Sequence, residues 1–210
     1  MSNMLNRFNK KALIVVAVSL AMLMLLSGCT SLLIGSGTIT SEERTVSEFD
    51  SIVFNGAGEV TVSFADRYSV NVTTDSSAQQ HVKTTVTGGA LNIGSALNIS
   101  MDLPAARTTK LAIDITMPTL TAIDMEGAGS ITLNEGSAES LTIKLAGVGS
   151  VDATRYQVKH ATVNLGGVGT LKVWATDSLD GNLSGVGQLV YKGNPTLNVQ
   201  HDGVGSIVRQ

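Results

Sequence analysis

The stretch from Leu165 to Val173, LGGVGTLKV, has glycine spacing like that of loops that cradle phosphate or calcium. A dinucleotide-binding fingerprint needs G-x-G-x-x-G between a strand and a helix, and Lys172 stands where the third glycine belongs. A calcium-binding nonapeptide needs an aspartate two residues after its last glycine, and Leu171 stands there. Because both motifs fail, we predict that these glycines are structural.

Other chemistry-bearing residues form no recognisable site. The three histidines, His81, His160 and His201, are scattered and lack metal-ligand spacing such as H-E-x-x-H. Serine and threonine are abundant, but no motif pairs one of them with a base. The sequence therefore predicts no catalytic residue, no metal site and no cofactor.

The phrase G-[Ala/Val]-G recurs six times, and its last five copies are 20, 20, 18 and 18 residues apart. A fixed period of this size indicates a repeat architecture. We predict that the glycines turn corners, because a corner needs positive φ and no Cβ against the neighbouring coils. The middle residue, such as Val148, is expected to pack in the turn. The predicted corner glycines are Gly56, Gly58, Gly127, Gly129, Gly147, Gly149, Gly167, Gly169, Gly185, Gly187, Gly203 and Gly205.

Around each corner, apolar residues alternate with polar ones. This period of two is typical of strands, and no helical period of sufficient length follows Leu26. The sequence thus predicts an all-β chain, a parallel β-helix of 18–20-residue coils stacked about 4.8 Å apart. On the last coil, His201 and Arg209 fall in apolar columns, so we expect them to cap an open end.

The N-terminus has the features of a targeting segment. Arg7, Lys10 and Lys11 precede an apolar run of 15 residues, Ala12 to Leu26, which is short for a membrane span. The "LSGC" that ends at Cys29 resembles the lipobox of bacterial lipoproteins. This resemblance implies a signal peptide at 1–28, lipidation of Cys29 and attachment to a membrane, whereas an uncleaved membrane anchor is the alternative. Residues 29–43 are interpreted as a tether.

Charge and cysteine content limit the partners. Removal of the three N-terminal cations takes the net charge from −3 to −6, and the mature chain has no basic run, so nucleic acid is excluded as a partner. Cys29 is the only cysteine, so no disulfide forms within one subunit. Thr30 follows it, and the lipoprotein resemblance implies sorting to the outer membrane when this residue is not aspartate.

Residues 44–210 resemble the bacterial head GIN domain family of autotransporter adhesins. The resemblance rests on "RTVSEFDSIVFNGAGEVTV", "SVNVTTD", "GGALNIG" and "MPTLTAIDMEGAGSI" in this order, followed by the serial corners. It implies a right-handed parallel β-helix in an envelope protein, without catalytic residues to transfer. Before the regular repeat begins, we expect a short helical turn around Ser76 to Val82 and a hairpin turn at Gly88 and Gly89.

These observations favour a lipid-anchored envelope protein with a non-catalytic surface for adhesion or scaffolding, whose ligand is an unknown envelope protein or glycan. Tyr156 and Trp174 are the possible partner surface, and Tyr191 is expected to pack inward. A polysaccharide-active enzyme is the first alternative, because β-helices host such enzymes, but no column carries the two acids that it needs. A self-assembling or complex-docking envelope protein is the second.

Overall fold

The computed structural model describes residues 38–95 and 110–210. The predicted signal peptide, Cys29 and most of the predicted tether lie outside the described residues. The described part contains fifteen strands and one 3₁₀ turn at Gln79–His81. The strands are β1 Ile39–Arg44, β2 Ser51–Asn55, β3 Ala57–Phe64, β4 Ser69–Asp75, β5 Val82–Thr87, β6 Ala90–Ser95, β7 Ala112–Met117, β8 Ala122–Met125, β9 Ala128–Leu133, β10 Gly136–Leu145, β11 Val148–Leu165, β12 Val168–Leu183, β13 Val186–Lys192, β14 Thr196–His201 and β15 Val204–Arg209.

The strands stack as a parallel β-helix, which confirms the predicted fold class. Sheet 1 contains the strands that follow the corners, with β7, β4 and β1 added at one side, in the order β1, β4, β7, β3, β9, the first parts of β11 and β12, β13 and β15. Sheet 2 contains the strands that precede the corners, with β6 and β5 added at one side, in the order β5, β6, β2, β8, β10, the later parts of β11 and β12, and β14. The long strands β11 and β12 belong to both sheets, so they tie the two together.

The first coils are covered by antiparallel strands. In sheet 1, β4 is antiparallel to β7 and β1 is antiparallel to β4. In sheet 2, β5 and β6 form the predicted hairpin, whose turn residues Gly88 and Gly89 have φ of 60° and 80°. Such values are tolerated by glycine and suit a two-residue hairpin turn. The predicted helical turn is confirmed, although it is limited to Gln79–His81.

The predicted tether extends too far into the domain. Residues 39–43 lie in β1, which pairs with β4 along its full length, so the domain begins before residue 44. Side chains also hold β1 in place, because Ser41 Oγ donates to Asn71 Oδ1 of β4 at 2.9 Å and Arg44 Nη2 donates to Gln79 Oε1 of the 3₁₀ turn at 2.8 Å. Small polar residues indicated a linker, but here they supply an edge strand that is exposed on its outer side.

The core is one continuous cluster of inward side chains from both sheets. Each inward residue lies in register with its counterpart one coil away, as Ile143 does with Val163. Both are fully buried. Since burial of one such side chain is worth about 1.5–3 kcal/mol, these rows supply most of the stabilisation that holds the outer surface in place.

Candidate functional site

The corner phrases form stacked columns whose backbone polar groups are already bonded. The N–H of Gly167 donates to the carbonyl oxygen of Leu145 at 2.9 Å, and the N–H of Val168 donates to that of Gly147 at 3.0 Å. A phosphate loop must keep such N–H groups free for its ligand. In this chain these N–H groups are already bonded to carbonyl oxygens of the preceding coil, which supports the structural interpretation of these glycines.

The two glycines of each phrase are needed for different reasons. We expected positive φ at the first glycines, such as Gly147, and this is wrong, because the positive values belong to the second ones, such as Gly149 at 148° and Gly169 at 154°. At Gly147 and Gly167 the reason is space, since a Cβ would approach the carbonyl oxygen of the glycine one coil below to less than 3.0 Å. The close approach of neighbouring backbones therefore explains why the first position of each phrase is glycine. At the second position, the close approach and the positive φ together require glycine.

The residues between the glycines form the most exposed apolar feature of the described residues. We expected Val148 to pack in its turn, but it is 58% exposed, because its parity along the strand points it away from the core. Val168, Val186 and Val204 are 49%, 49% and 70% exposed. All four are in register on adjacent strands, so they form one continuous stripe, here called the valine ridge.

Uncharged residues flank the middle of the valine ridge. On the sheet 2 side, the exposed residues two positions before these valines are Ala146, Gly166 and Ser184. On the sheet 1 side the next outward positions are Ser150, Thr170 and Gln188, which are half-buried. The ridge is thus an apolar spine with a border of small and polar side chains.

Charged residues lie farther out and are paired between coils. Lys144 Nζ is 2.9 Å from Asp124 Oδ2, Lys172 Nζ is 3.1 Å from Asp152 Oδ2, and the exposed pair Lys159 and Glu139 is 3.0 Å apart. Each partner is 20 residues from the other, which is one coil. The pairs cross-link neighbouring strands at the surface, and none of them combines two acids.

Electrostatics at these pairs stabilise the charged forms. The hydrogen bond to Asp124 raises the pKa of Lys144, with a further contribution from the charge of that carboxylate. Burial acts to raise the pKa of Asp152, but hydrogen bonds from the Thr154 hydroxyl and backbone N–H, together with Lys172, hold this pKa below its ordinary value. An acid that is held ionised is suited to an ion pair and not to donating a proton in catalysis at neutral pH.

Of the two residues of the predicted partner surface, Tyr156 is buried, whereas Trp174 lies on the outside. Tyr156 is fully buried and stacks on Phe64 at a ring separation of 4.3 Å, so it is unavailable to a partner. Its strand loses register with the next coil between Ala153 and Gln157, and the extra residues turn the ring inward. Trp174 is half-buried on the outside, with Lys192 Nζ 3.7 Å from its ring centroid. Tyr191 packs against the core, as expected.

The histidines are also dispersed in the structure. His160 Nδ1 lies 3.2 Å from Ser178 Oγ, whereas His201 is exposed on the last coil. Across residues 38–95 and 110–210, no group of three or more His, Cys, Asp or Glu side chains is arranged to hold a metal ion. In the same part of the chain, no helix has the length and apolar character needed to cross a bilayer.

Sequence and structure comparisons identify similar proteins. A family model described as "Putative auto-transporter adhesin, head GIN domain" matches residues 48–135 and 123–195. No curated protein sequence matches the chain. A crystal structure described as "a putative adhesin" from Bacteroides fragilis is 20% identical, with a TM-score of 0.52, and the alignment covers 84% of this chain and 99% of that one. A crystal structure described as a "putative lipid binding protein" from Parabacteroides distasonis is 22% identical, with a TM-score of 0.42 and coverage of 84% and 98%.

Proposed function

Because the chain belongs to the head GIN domain family, we propose that it is a lipid-anchored envelope protein that adheres through the valine ridge without catalysis. The membrane is one partner, through lipidated Cys29, and an envelope protein is the other. The exposed, uncharged ridge on a rigid scaffold is the observation that carries this proposal.

The composition of the ridge favours a protein as the second partner. Protein interfaces have an apolar centre and a polar rim, and the ridge has this arrangement, with valines in the middle and the pairs Asp124–Lys144 and Asp152–Lys172 outside. The ridge follows the outer corner of the coils, whereas small-ligand sites are concave. A partner that offers a shallow apolar groove fits this convex stripe.

The scaffold also reduces the loss of conformational entropy that accompanies binding. The backbone at each corner is bonded to the next coil, as at Val168 and Gly147, and the valines repeat at the strand spacing of about 4.8 Å. Valine has few rotamers, so little side-chain entropy is lost when the ridge is covered. A preorganised surface of this kind suits adhesion better than turnover.

Replacement of the ridge valines should reduce adhesion. Val148→Thr, Val168→Thr and Val186→Thr keep the β-branched shape but place hydroxyls in the apolar centre. With about 0.8 kcal/mol lost per buried methyl group, we expect the triple variant to bind about tenfold or more weakly. In the measurement, cells that display the full chain are applied to a surface coated with cell envelopes of the species that produces this protein. The fraction of cells that remains after washing is counted.

Two comparisons make the adhesion test decisive. The control variant changes exposed Thr142 and Thr162 of sheet 2 to Ser, and it should adhere like the wild type. Equal retention of the triple variant would show that the ridge is not the adhesive surface. If the wild type adheres no better than cells without it, adhesion itself is contradicted. Loss of binding after glycosidase treatment of the coat would identify a glycan instead of a protein partner.

The anchor can be tested separately from adhesion. Cells grown with a fatty-acid analogue should label the wild-type chain, and Cys29→Ala should abolish the label, since no other cysteine is present to accept a lipid. The matched control is Ser27→Ala, which leaves the thiol in place and should retain the label. Label that persists in Cys29→Ala would refute the anchor while leaving the adhesive ridge untouched.

A further inference from the structure

The two ends of the β-helix leave strand edges without partners among the described residues. In sheet 1 the outer edges belong to β1 and β15, each of which pairs with one strand only. In sheet 2 they belong to β5 and β14. Free edges of this kind are templates for pairing with another chain, and a stack of similar coils is suited to extension by a second copy.

The orientation of the outer strands would permit such an extension in sheet 1. Since β1 is antiparallel to β4 and β4 is antiparallel to β7, β1 runs in the same direction as the parallel strands up to β15. The first strand of one copy could therefore join the last strand of another in parallel, as the coils do within one copy. The geometry of the backbone does not prevent end-to-end assembly.

An inward row that crosses sheet 1 begins and ends in arginine. Arg44 is in register with Val70 at one edge, and Arg209 is in register with Tyr191 at the other. All positions between them are apolar, and Leu133 and Ala153 join the row directly after the paired Thr132 and Asp152. In order, the row is Arg44, Val70, Ile115, Val62, Leu133, Ala153, Val173, Tyr191 and Arg209.

Sheet 2 shows the same arrangement in a weaker form. Its inward row contains Phe54, Met125 and the buried leucines of the repeat, but it begins at Thr84 and ends at His201. Polar side chains thus replace apolar ones at both ends of two separate rows. The neighbouring inward rows end in Ile207 and Val199, so the polar side chains of the last coil are confined to one inward row of each sheet.

We infer that Arg44 and Arg209 prevent end-to-end self-association of this chain. A strand added to β15 would enclose the guanidinium of Arg209 in the extended core, and among the described residues no carboxylate lies within ion-pair distance of it. Addition in register would also place Arg209 beside Arg44 of the next copy, about 4.8 Å away along the row. Burial of an unpaired charge next to a like charge opposes this contact, as inward-pointing charges do at other sheet edges.

The two arginines differ in how they are held. Arg44 is half-buried, pairs with Glu42 at 3.1 Å and donates to the backbone oxygen of Gln79 at 3.0 Å, so its replacement would also disturb the fold. Arg209 is exposed on the last coil. Arg209 is therefore the residue whose replacement isolates the effect on assembly.

The test is electron microscopy and light scattering of the full chain in detergent micelles. The wild type should give single short particles, and Arg209→Val should give rods with a mean length about threefold or more above the wild type. Arg209→Lys keeps the cation and should resemble the wild type. The double variant Arg209→Val with His201→Leu, which opens both sheets, should give the longest rods.

The inference would be overturned by rods of the wild type or by rods of Arg209→Lys as long as those of Arg209→Val. It would equally be overturned if both variants that carry Arg209→Val gave particles of unchanged length with an unchanged circular dichroism spectrum. Shapeless aggregates without rods would also contradict it, because the inference requires ordered extension of the sheets. Each result is visible without knowledge of the adhesive partner.

Discussion

Replacement of both Gly149 and Gly169 with valine is expected to unfold most of the domain. A Cβ at Gly149 would press into the carbonyl oxygen of Gly129, and one at Gly169 into that of Gly149, in each case at less than 3.0 Å. The φ values of 148° and 154° add backbone strain that costs about 1–3 kcal/mol for each non-glycine residue. Because a domain of this size is commonly stable by about 5–15 kcal/mol, the strain and the clashes together exceed much of its stability.

Thermal unfolding followed by circular dichroism measures this effect, and a neighbouring glycine provides the control. Gly166 lies directly before the same corner phrase, but its nearest heavy atom to an added Cβ would be Ser184 Oγ at 4.0 Å. Gly166→Val should therefore melt close to the wild type. A double variant that melts as the wild type does would contradict the close approach of the coils, and a ligand role for the glycines would then have to be tested.

Tyr156→Ala is expected to cause the second largest loss of stability. The side chain is fully buried, and its hydroxyl accepts from the N–H of Leu120 and donates to the Leu120 carbonyl oxygen, both at 3.1 Å. Removal of a buried aromatic ring costs about 3–5 kcal/mol. Tyr156→Phe keeps the stack on Phe64 but leaves both Leu120 groups unpaired, at a cost of about 1–3 kcal/mol.

Denaturant unfolding of the Tyr156 variants gives these free energies directly. Tyr191→Ala is the matched control, because Tyr191 is also a tyrosine of the repeat region but is only partly buried. It should cost clearly less than Tyr156→Ala. Equal and small losses for the two alanine variants would contradict the buried position of Tyr156 and restore it as a possible surface residue.

The repeat itself could be derived from the sequence because each coil contacts the coils directly before and after it in the chain. A residue meets its counterpart 18 or 20 positions away, so the spacing of the glycines is also the register of the strands, as for Leu145 and Leu165. Alternation then separates inward from outward residues without reference to any distant segment. The fold class, the inward packing of Tyr191 and the hairpin at Gly88 and Gly89 follow from such local signals.

Features that depend on distant contacts or on irregular coils were decided only by the tertiary structure. The polar strand Ile39–Arg44 has no alternation, and it forms an edge because β4, some 30 residues later, offers a free partner. Tyr156 turns inward because its coil contains residues that the next coil lacks, so the period gives no counterpart for its position. The division of roles between Gly147 and Gly149 depends on how closely two backbones approach, which spacing alone does not contain. The sequence thus determined the repeat, its register and the polar residues His201 and Arg209 of the last coil. The exposed valine ridge and the arginine at the opposite end, Arg44, required the tertiary structure, because exposure and edges are properties of the assembled sheets.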